Sequence, residues 1–196
     1  MTVAIVKYNA GNVYSVVNAL RRIGVEAVVS DNAETLAKAD RVIFPGQGEA
    51  YGAMAYIKAH RLNEVICGLS QPVLGICIGQ QLMCRYSEEG RTDCLGIFDV
   101  DVRKFVPVSH EDKVPAMGWN FIYDLKSDLF KNIREKDFVY FIHSYYVPLC
   151  ENTVATADYV HSFSAALHRD NFYATQFHPE KSGDVGEQIL KNFLEL

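Results

Sequence analysis

The chain has 196 residues, 49% of them hydrophobic and 12% aromatic, which is enough to bury one substantial core. Its 24 acidic and 19 basic residues leave a formal charge of −5, and the basic residues are scattered, which argues against a nucleic-acid surface. No apolar run approaches the ~20 residues of a membrane helix, the N-terminus lacks the basic-then-apolar pattern of a signal peptide, and Cys67, Cys77, Cys84, Cys94 and Cys150 contain no C-x-x-C pair, which fits a reducing compartment. The composition predicts a soluble, cytoplasmic globular protein.

The first half alternates strands and helices. Val3–Val6 is a short apolar run closed by the turn residues Asn9-Ala10-Gly11-Asn12. Val13, Val16, Val17, Leu20 and Ile23 then recur at helical spacing, and Gly24 supplies a stop. Ala27–Val29 reads as a strand, Ala33–Lys38 as a short helix and Val42-Ile43-Phe44 as a third strand, broken by Pro45-Gly46-Gln47-Gly48. A helix is expected from about Tyr51, a fourth strand over Pro72–Ile76, and a further helix from Gly79 to Tyr86. Strands that are apolar throughout belong to a largely parallel sheet covered on both faces.

The second half is richer in short β segments. Phe138–Val147 is the strongest of these, and Phe163–Leu167 with Phe172–Phe177 reads as a hairpin around Arg169-Asp170-Asn171. Helical spacing returns from Val185 to Leu194. With no linker and no internal repeat, residues 1–196 are read as a single α/β domain, a three-layer α/β/α sandwich with a largely parallel central sheet and antiparallel additions.

Three segments carry candidate chemistry. In Gly75-Ile76-Cys77-Ile78-Gly79 a cysteine sits between an apolar strand and a helix, with glycine two positions away on either side. That is the layout of a nucleophile elbow, in which a sharp turn exposes the reactive atom at a helix N-terminus; a buried structural cysteine is the alternative. In His178-Pro179-Glu180 the proline pushes the histidine towards extended geometry, where residues i and i+2 project to one side, so the two could form a general base and its orienting carboxylate. A loop histidine beside a solvated glutamate is the plainer reading. Pro45-Gly46-Gln47-Gly48 follows the third strand, where the Gln47 and Ile78 N–H groups could meet a developing oxyanion, or where an ordinary βα turn could sit. No metal-ligand spacing and no phosphate loop occurs, so neither a metal nor a nucleotide cofactor is expected. Taken together, the three segments describe one acyl-transfer site.

With these residues in place the chain resembles the class I, triad-type glutamine amidotransferases, whose G-x-C-x-G-x-Q elbow is matched by Gly75 to Gln81. Within that family it is most similar to the glutaminase subunits of imidazole glycerol phosphate synthase. The similarity extends over Met117-Gly118-Trp119-Asn120, Tyr140-Phe141-Ile142-His143-Ser144-Tyr145 and Gln176-Phe177-His178-Pro179-Glu180-Lys181-Ser182. The resemblance implies that Cys77 attacks the side-chain amide of L-glutamine to form a thioester, with His178 moving the proton and Glu180 holding the imidazole. It implies that Gln81 and Glu89 grip the amino-acid end of the substrate, with backbone help from Gly48, Ser144 and Tyr145. It further implies that the ammonia passes to a separate (βα)8-barrel cyclase subunit, met by Asn12, Trp119, Tyr140 and Lys181; composition alone leaves Trp119 equally readable as a core residue. The oxyanion loop departs from the usual P-G-V-G at Gln47. An amidotransferase feeding another synthase, and an autonomous cysteine γ-glutamyl hydrolase, are the alternative functions.

Overall fold

The structure is a computed structural model and describes residues 1–9 and 12–196. Ala10 and Gly11, in the turn expected after the first strand, lie outside the described residues.

The elements in chain order are β1 (Val3–Val6), α1 (Val13–Arg22), β2 (Ala27–Ser30), α2 (Ala33–Lys38), β3 (Arg41–Phe44), α3 (Ala50–Ala59), α4 (Leu62–Cys67), β4 (Val73–Ile76), α5 (Ile78–Met83), β5 (Cys84–Ser87), β6 (Thr92–Asp93) and β7 (Phe98–Lys104). They continue with β8 (Ala116–Phe121), β9 (Phe138–His143), β10 (Tyr145–Tyr146), β11 (Thr153–Tyr159), β12 (His161–Arg169), β13 (Phe172–Thr175) and α6 (Gly183–Glu195).

Seven strands form the main sheet in the order β11-β12-β13-β4-β3-β1-β2. From β13 to β2 every neighbour is parallel, while β12 runs antiparallel to both β11 and β13. The continuous apolar strands are explained by burial on both sides. In β1, Val3 and Ile5 join the core under α1 and α6, whereas Ala4 and Val6 join the core under α2, α3, α4 and α5. Ile43 of β3 faces the first core and its neighbours Val42 and Phe44 face the second. Each such valine, isoleucine or phenylalanine contributes on the order of 1.5–3 kcal/mol of hydrophobic stabilisation, so both helical layers are held by the same strands. The three-layer arrangement expected from the sequence is present. The edge strand β2 leaves Val28 and Val29 partly exposed.

Two expectations need correction. The helix expected from Gly79 to Tyr86 ends at Met83, and Cys84–Ser87 is a strand. This strand joins β7 in parallel and β6 antiparallel, in a small sheet ordered β10-β7-β5-β6. Pairing with β6 and β7 overrides the local helical pattern. The β segment Phe138–Val147 is also divided. β9 pairs with β8, the chain bends at Ser144, and β10 pairs with β7 in a different sheet. That bend brings His143, Ser144 and Tyr145 to the mouth of the main sheet's carboxyl edge.

Candidate active site

β3, β4 and β13 are adjacent and parallel, so their carboxyl ends open at one edge, where open α/β sheets bind ligands. Pro45 to Gly48 leaves β3, Cys77 leaves β4, and Gln176 to Glu180 leaves β13. The register Thr175↔Ile76, continued by the Cys77 N–H donating to Thr175 O at 2.7 Å, sets the cysteine beside the histidine segment.

Cys77 occupies φ 53°, ψ −107°, a left-handed conformation that costs a non-glycine residue on the order of 1–3 kcal/mol. The surrounding backbone holds it there. A Cβ on Gly79 would lie 2.3 Å from Phe44 O, and one on Gly46 would lie 2.1 Å from Ile76 O. The elbow and the Pro45–Gly48 loop therefore press backbone against backbone, and only glycine permits it. Ile78 opens α5, so its N–H has no acceptor within the helix. Cys77 is 8% exposed, and its exposed part faces a cavity of about 450 Å³ that Gln47, Gly48, Ile78, Gln81, Glu89, Ser144, Tyr145 and His178 also line. That volume falls in the range of small-ligand sites.

His178 Nδ1 lies 2.7 Å from Glu180 Oε1, with both side chains almost wholly buried. His178 is extended, as expected before proline, but Glu180 stands in a 3-10 turn over Pro179–Lys181, so the turn, not a continuous extended segment, closes the pair. The turn is held from below by α6. A Cβ on Gly186 would come within 1.9 Å of Pro179 O, and Ser182 Oγ donates to His178 O. Burial works against a charged imidazole, but Cys77 on one side and Glu180 on the other outweigh it and raise His178 to about 10. Its Nε2 is buried and forms no hydrogen bond. An imidazole held between the Cys77 sulfur and the Glu180 carboxylate is placed to carry a proton to and from a reacting group.

The substrate-end residues are placed as follows. Glu89 is half-buried and accepts from the Ala50 N–H at 2.8 Å; burial raises its carboxyl above the usual range, with that N–H pulling the other way. Its neighbour Glu88 turns outward to Arg103 and the Lys104 N–H, so the two adjacent glutamates have different surroundings. Gln81 Nε2 donates to Tyr145 O and to Gln176 Oε1, each at 3.0 Å, which leaves its Oε1 as the polar atom free to serve the cavity. The Tyr145 carbonyl receives a second donor, His143 Nδ1, at 2.7 Å. It is filled by protein groups, so any contact Tyr145 makes with a substrate must come from another of its atoms.

Of the residues expected at a partner surface, Trp119 is 57% exposed, which excludes the core reading. It stands opposite Tyr140 in the β8–β9 ribbon, with ring centroids 6.1 Å apart. Lys181 closes the 3-10 turn after His178, and Asn12 caps α1 by accepting from the Ser15 N–H.

Three site residues had no role assigned from the sequence. Tyr8 is buried and donates to Pro45 O, which anchors the start of the glycine loop. His143 is buried among Phe105, Phe141 and Phe163. Gln176 is fully buried, and its Nε2 lies 3.7 Å from Cys77 Sγ. The usable signal for the last two was a polar residue in an otherwise apolar β stretch. Among the described residues no group of three or more His, Cys, Asp or Glu side chains could hold a metal ion.

A family model described as glutamine amidotransferase class-I matches residues 4–196. Proteins named imidazole glycerol phosphate synthase subunit HisH are 63% identical in Bacteroides thetaiotaomicron, 64% in Bacteroides fragilis and 44% in Pectobacterium atrosepticum, each alignment covering 100% of both chains. Among solved structures, a putative GMP synthase subunit from Thermoplasma acidophilum superimposes with a TM-score of 0.76 over 100% of this chain and 93% of its own, at 20% identity. PurLQS from Thermotoga maritima gives 0.72 over 99% and 97% at 19% identity. An elbow cysteine, a histidine–glutamate pair and one shared cavity thus occur in a chain whose whole length matches a single family: it belongs to the class-I glutamine amidotransferases.

Proposed function

We propose that this chain is the glutaminase subunit of an imidazole glycerol phosphate synthase, hydrolysing L-glutamine and passing the ammonia to a cyclase subunit. One observation carries the chemistry: the strained Cys77 and His178, whose imidazole is held from behind by the buried Glu180, border the same cavity. The relatives named for that synthase, identical at 63% and 64% over full length, support the pathway.

In this reading glutamine enters with its α-ammonium towards Glu89 and Gln81 Oε1, the negative and the accepting groups of the cavity. Cys77 Sγ attacks the amide carbon and a C–S bond forms, while the carbonyl electrons move to oxygen. The Gln47 and Ile78 N–H groups receive that oxyanion. As it collapses the C–N bond breaks, and the leaving nitrogen takes its proton from His178. The resulting neutral imidazole then draws a proton from water, which attacks the thioester. Glutamate leaves, the C–S bond breaks and the thiol system is restored. Glu180 keeps Nδ1 occupied, so that Nε2 is the nitrogen that works. Gly48 and the backbone around Ser144 complete the substrate contacts.

The partner reading extends to a (βα)8-barrel cyclase docked on the β8–β9 ribbon. Alternation puts Met117, Trp119 and Phe121 on one face of β8, opposite Ile142, Tyr140 and Phe138 of β9. Met117, Trp119 and Phe138 are each more than half exposed, although Val139 and Phe141 on the other face are buried. Exposed aromatic anchors of this kind are common at interfaces, and Asn12 and Lys181 supply polar contacts at the rim. Residues 1–196 are read as one domain, in keeping with the reach of the family match over residues 4–196. A cytoplasmic location is part of the same reading; among the described residues no helix is long and apolar enough to cross a membrane.

The test is glutamate release from glutamine by this chain alone, then in the presence of both the cyclase and its nucleotide substrate. Little release alone and strong release with both is the expected result. Equal release in the two conditions favours an autonomous γ-glutamyl hydrolase, and activation by a different synthase moves the chain to another pathway.

A further inference from the structure

The polar groups beneath the elbow form a line with one direction. Its starting point is unambiguous, because Tyr145 O is a backbone carbonyl and can only accept. Gln81 must therefore turn its NH₂ towards it, and the same NH₂ donates to Gln176 Oε1. That contact fixes the second amide in turn: with its oxygen held by Gln81, Gln176 presents N–H to Cys77 Sγ at 3.7 Å. His143 Nδ1 donates into the same carbonyl at 2.7 Å and holds it in place. Gln81, Gln176 and His143 are buried, and neither amide can reverse freely: a reversed Gln81 would set its oxygen against the Tyr145 carbonyl, and a reversed Gln176 would set its NH₂ against that of Gln81.

From this geometry we infer that Gln176 is a hydrogen-bond donor to the reacting sulfur, stabilising its anionic form, and that Gln81 and His143 are positioning residues that aim it. The proposal rests on the reading of Cys77 as nucleophile. It gives Cys77 a second source of activation besides His178, one that persists when the imidazole has given up its proton to the leaving ammonia. At that stage the thioester carries no charge on sulfur; the donor regains its partner when the C–S bond breaks, which favours the second half of the reaction. It also gives Gln81 two roles, since its outward oxygen serves the cavity while its inward NH₂ aims Gln176.

The experiment measures alkylation of Cys77 by iodoacetamide, read by mass spectrometry of its peptide, in the wild-type protein and in Gln176→Met. Methionine has a similar length and no N–H. The variant is expected to react roughly tenfold more slowly at pH 7, the equivalent of one charge-assisted hydrogen bond, with the deficit narrowing as pH rises. With the cyclase present, glutaminase kcat should fall in parallel while KM stays within about twofold, because Gln176 donates to the nucleophile and not to the substrate. A folded Gln176→Met protein with wild-type alkylation rates at every pH overturns the proposal. A second measurement needs no variant. In wild-type protein carrying ¹⁵N in its glutamine side-chain amides, the amide that contacts Gln81 should shift when Cys77 is alkylated, and an unmoved signal also overturns the proposal. Failure of the underlying reading looks different: a glutamine analogue that reacts with cysteine would then not label Cys77 even in the wild-type protein.

Discussion

At the scale of single residues, the site depends on what surrounds each ionisable group. Cys77→Ala is expected to abolish glutamate release from a protein that still folds cooperatively, since the residue is small and the substitution leaves only a sulfur-sized gap; turnover at the wild-type rate would remove Cys77 from the mechanism. Glu180→Gln should reduce kcat less than His178→Ala, because the carboxylate orients the imidazole and does not itself transfer the proton. Equal losses would assign Glu180 a different role. Glu89→Gln keeps the shape of the side chain and removes the carboxylate proposed to face the substrate's α-ammonium. It should raise KM for glutamine roughly 10- to 100-fold, the range of a charge-assisted hydrogen bond, with a smaller change in kcat. Steady-state kinetics with the cyclase present would separate the two parameters, and an unchanged KM would place the amino-acid end of the substrate elsewhere.

At the scale of elements, precision comes from close backbone approach. The His178–Glu180 turn rests on the first turns of α6, where Gly186 lets Pro179 O pass within a distance no Cβ tolerates. Gly186→Ala should therefore displace the turn and misplace His178. The expected result is at least a tenfold loss of kcat together with a lower unfolding midpoint, in line with the rate cost of misplacing a catalytic group and the stability cost of overpacking. A variant with wild-type kinetics would show that the turn can move away from α6 without disturbing the imidazole. The two elements that departed from expectation, β5 and the divided β9–β10 segment, are set by strand pairing: β5 joins β6 and β7, while β9 and β10 pair into different sheets. Local pattern registers amphipathic spacing and apolar runs, but it does not register which distant strand is available for pairing.

At the scale of the whole molecule, two buried histidines give stability opposite dependences on pH. His178 is raised from 6.5 to about 10 in the folded protein. The folded state holds its proton more tightly than the unfolded state, so this contribution is complete below pH 6.5 and is lost as pH rises towards 10. His143 is lowered to about 4 by burial and by the nearby charge of His178. Its contribution is complete above pH 6.5 and is lost as pH falls towards 4. Stability is therefore expected to peak near neutrality, as urea unfolding midpoints measured from about pH 4 to about pH 10 would show. The alkaline decline should flatten in Cys77→Ala, because Cys77 is the strongest group holding the His178 proton; an unchanged alkaline slope in that variant would detach the effect from the pair.

The sequence by itself determined the α/β layering, because strands that are apolar throughout, alternating with helices, bury best in a sheet covered on both faces. It also determined where an elbow cysteine and a histidine–glutamate pair could stand, because glycine spacing and a proline act on the backbone within a few residues. Only the tertiary structure decided that these segments share one cavity, since that follows from β3, β4 and β13 lying side by side. It also distinguished Glu89 from Glu88, exposed Trp119 and aimed Gln176 at the sulfur. Each of these depends on burial and on partners up to 99 residues away, as Gln176 is from Cys77. Spacing along the chain carries no record of such distances, and the desolvation and hydrogen bonding they create exist only once the chain is folded.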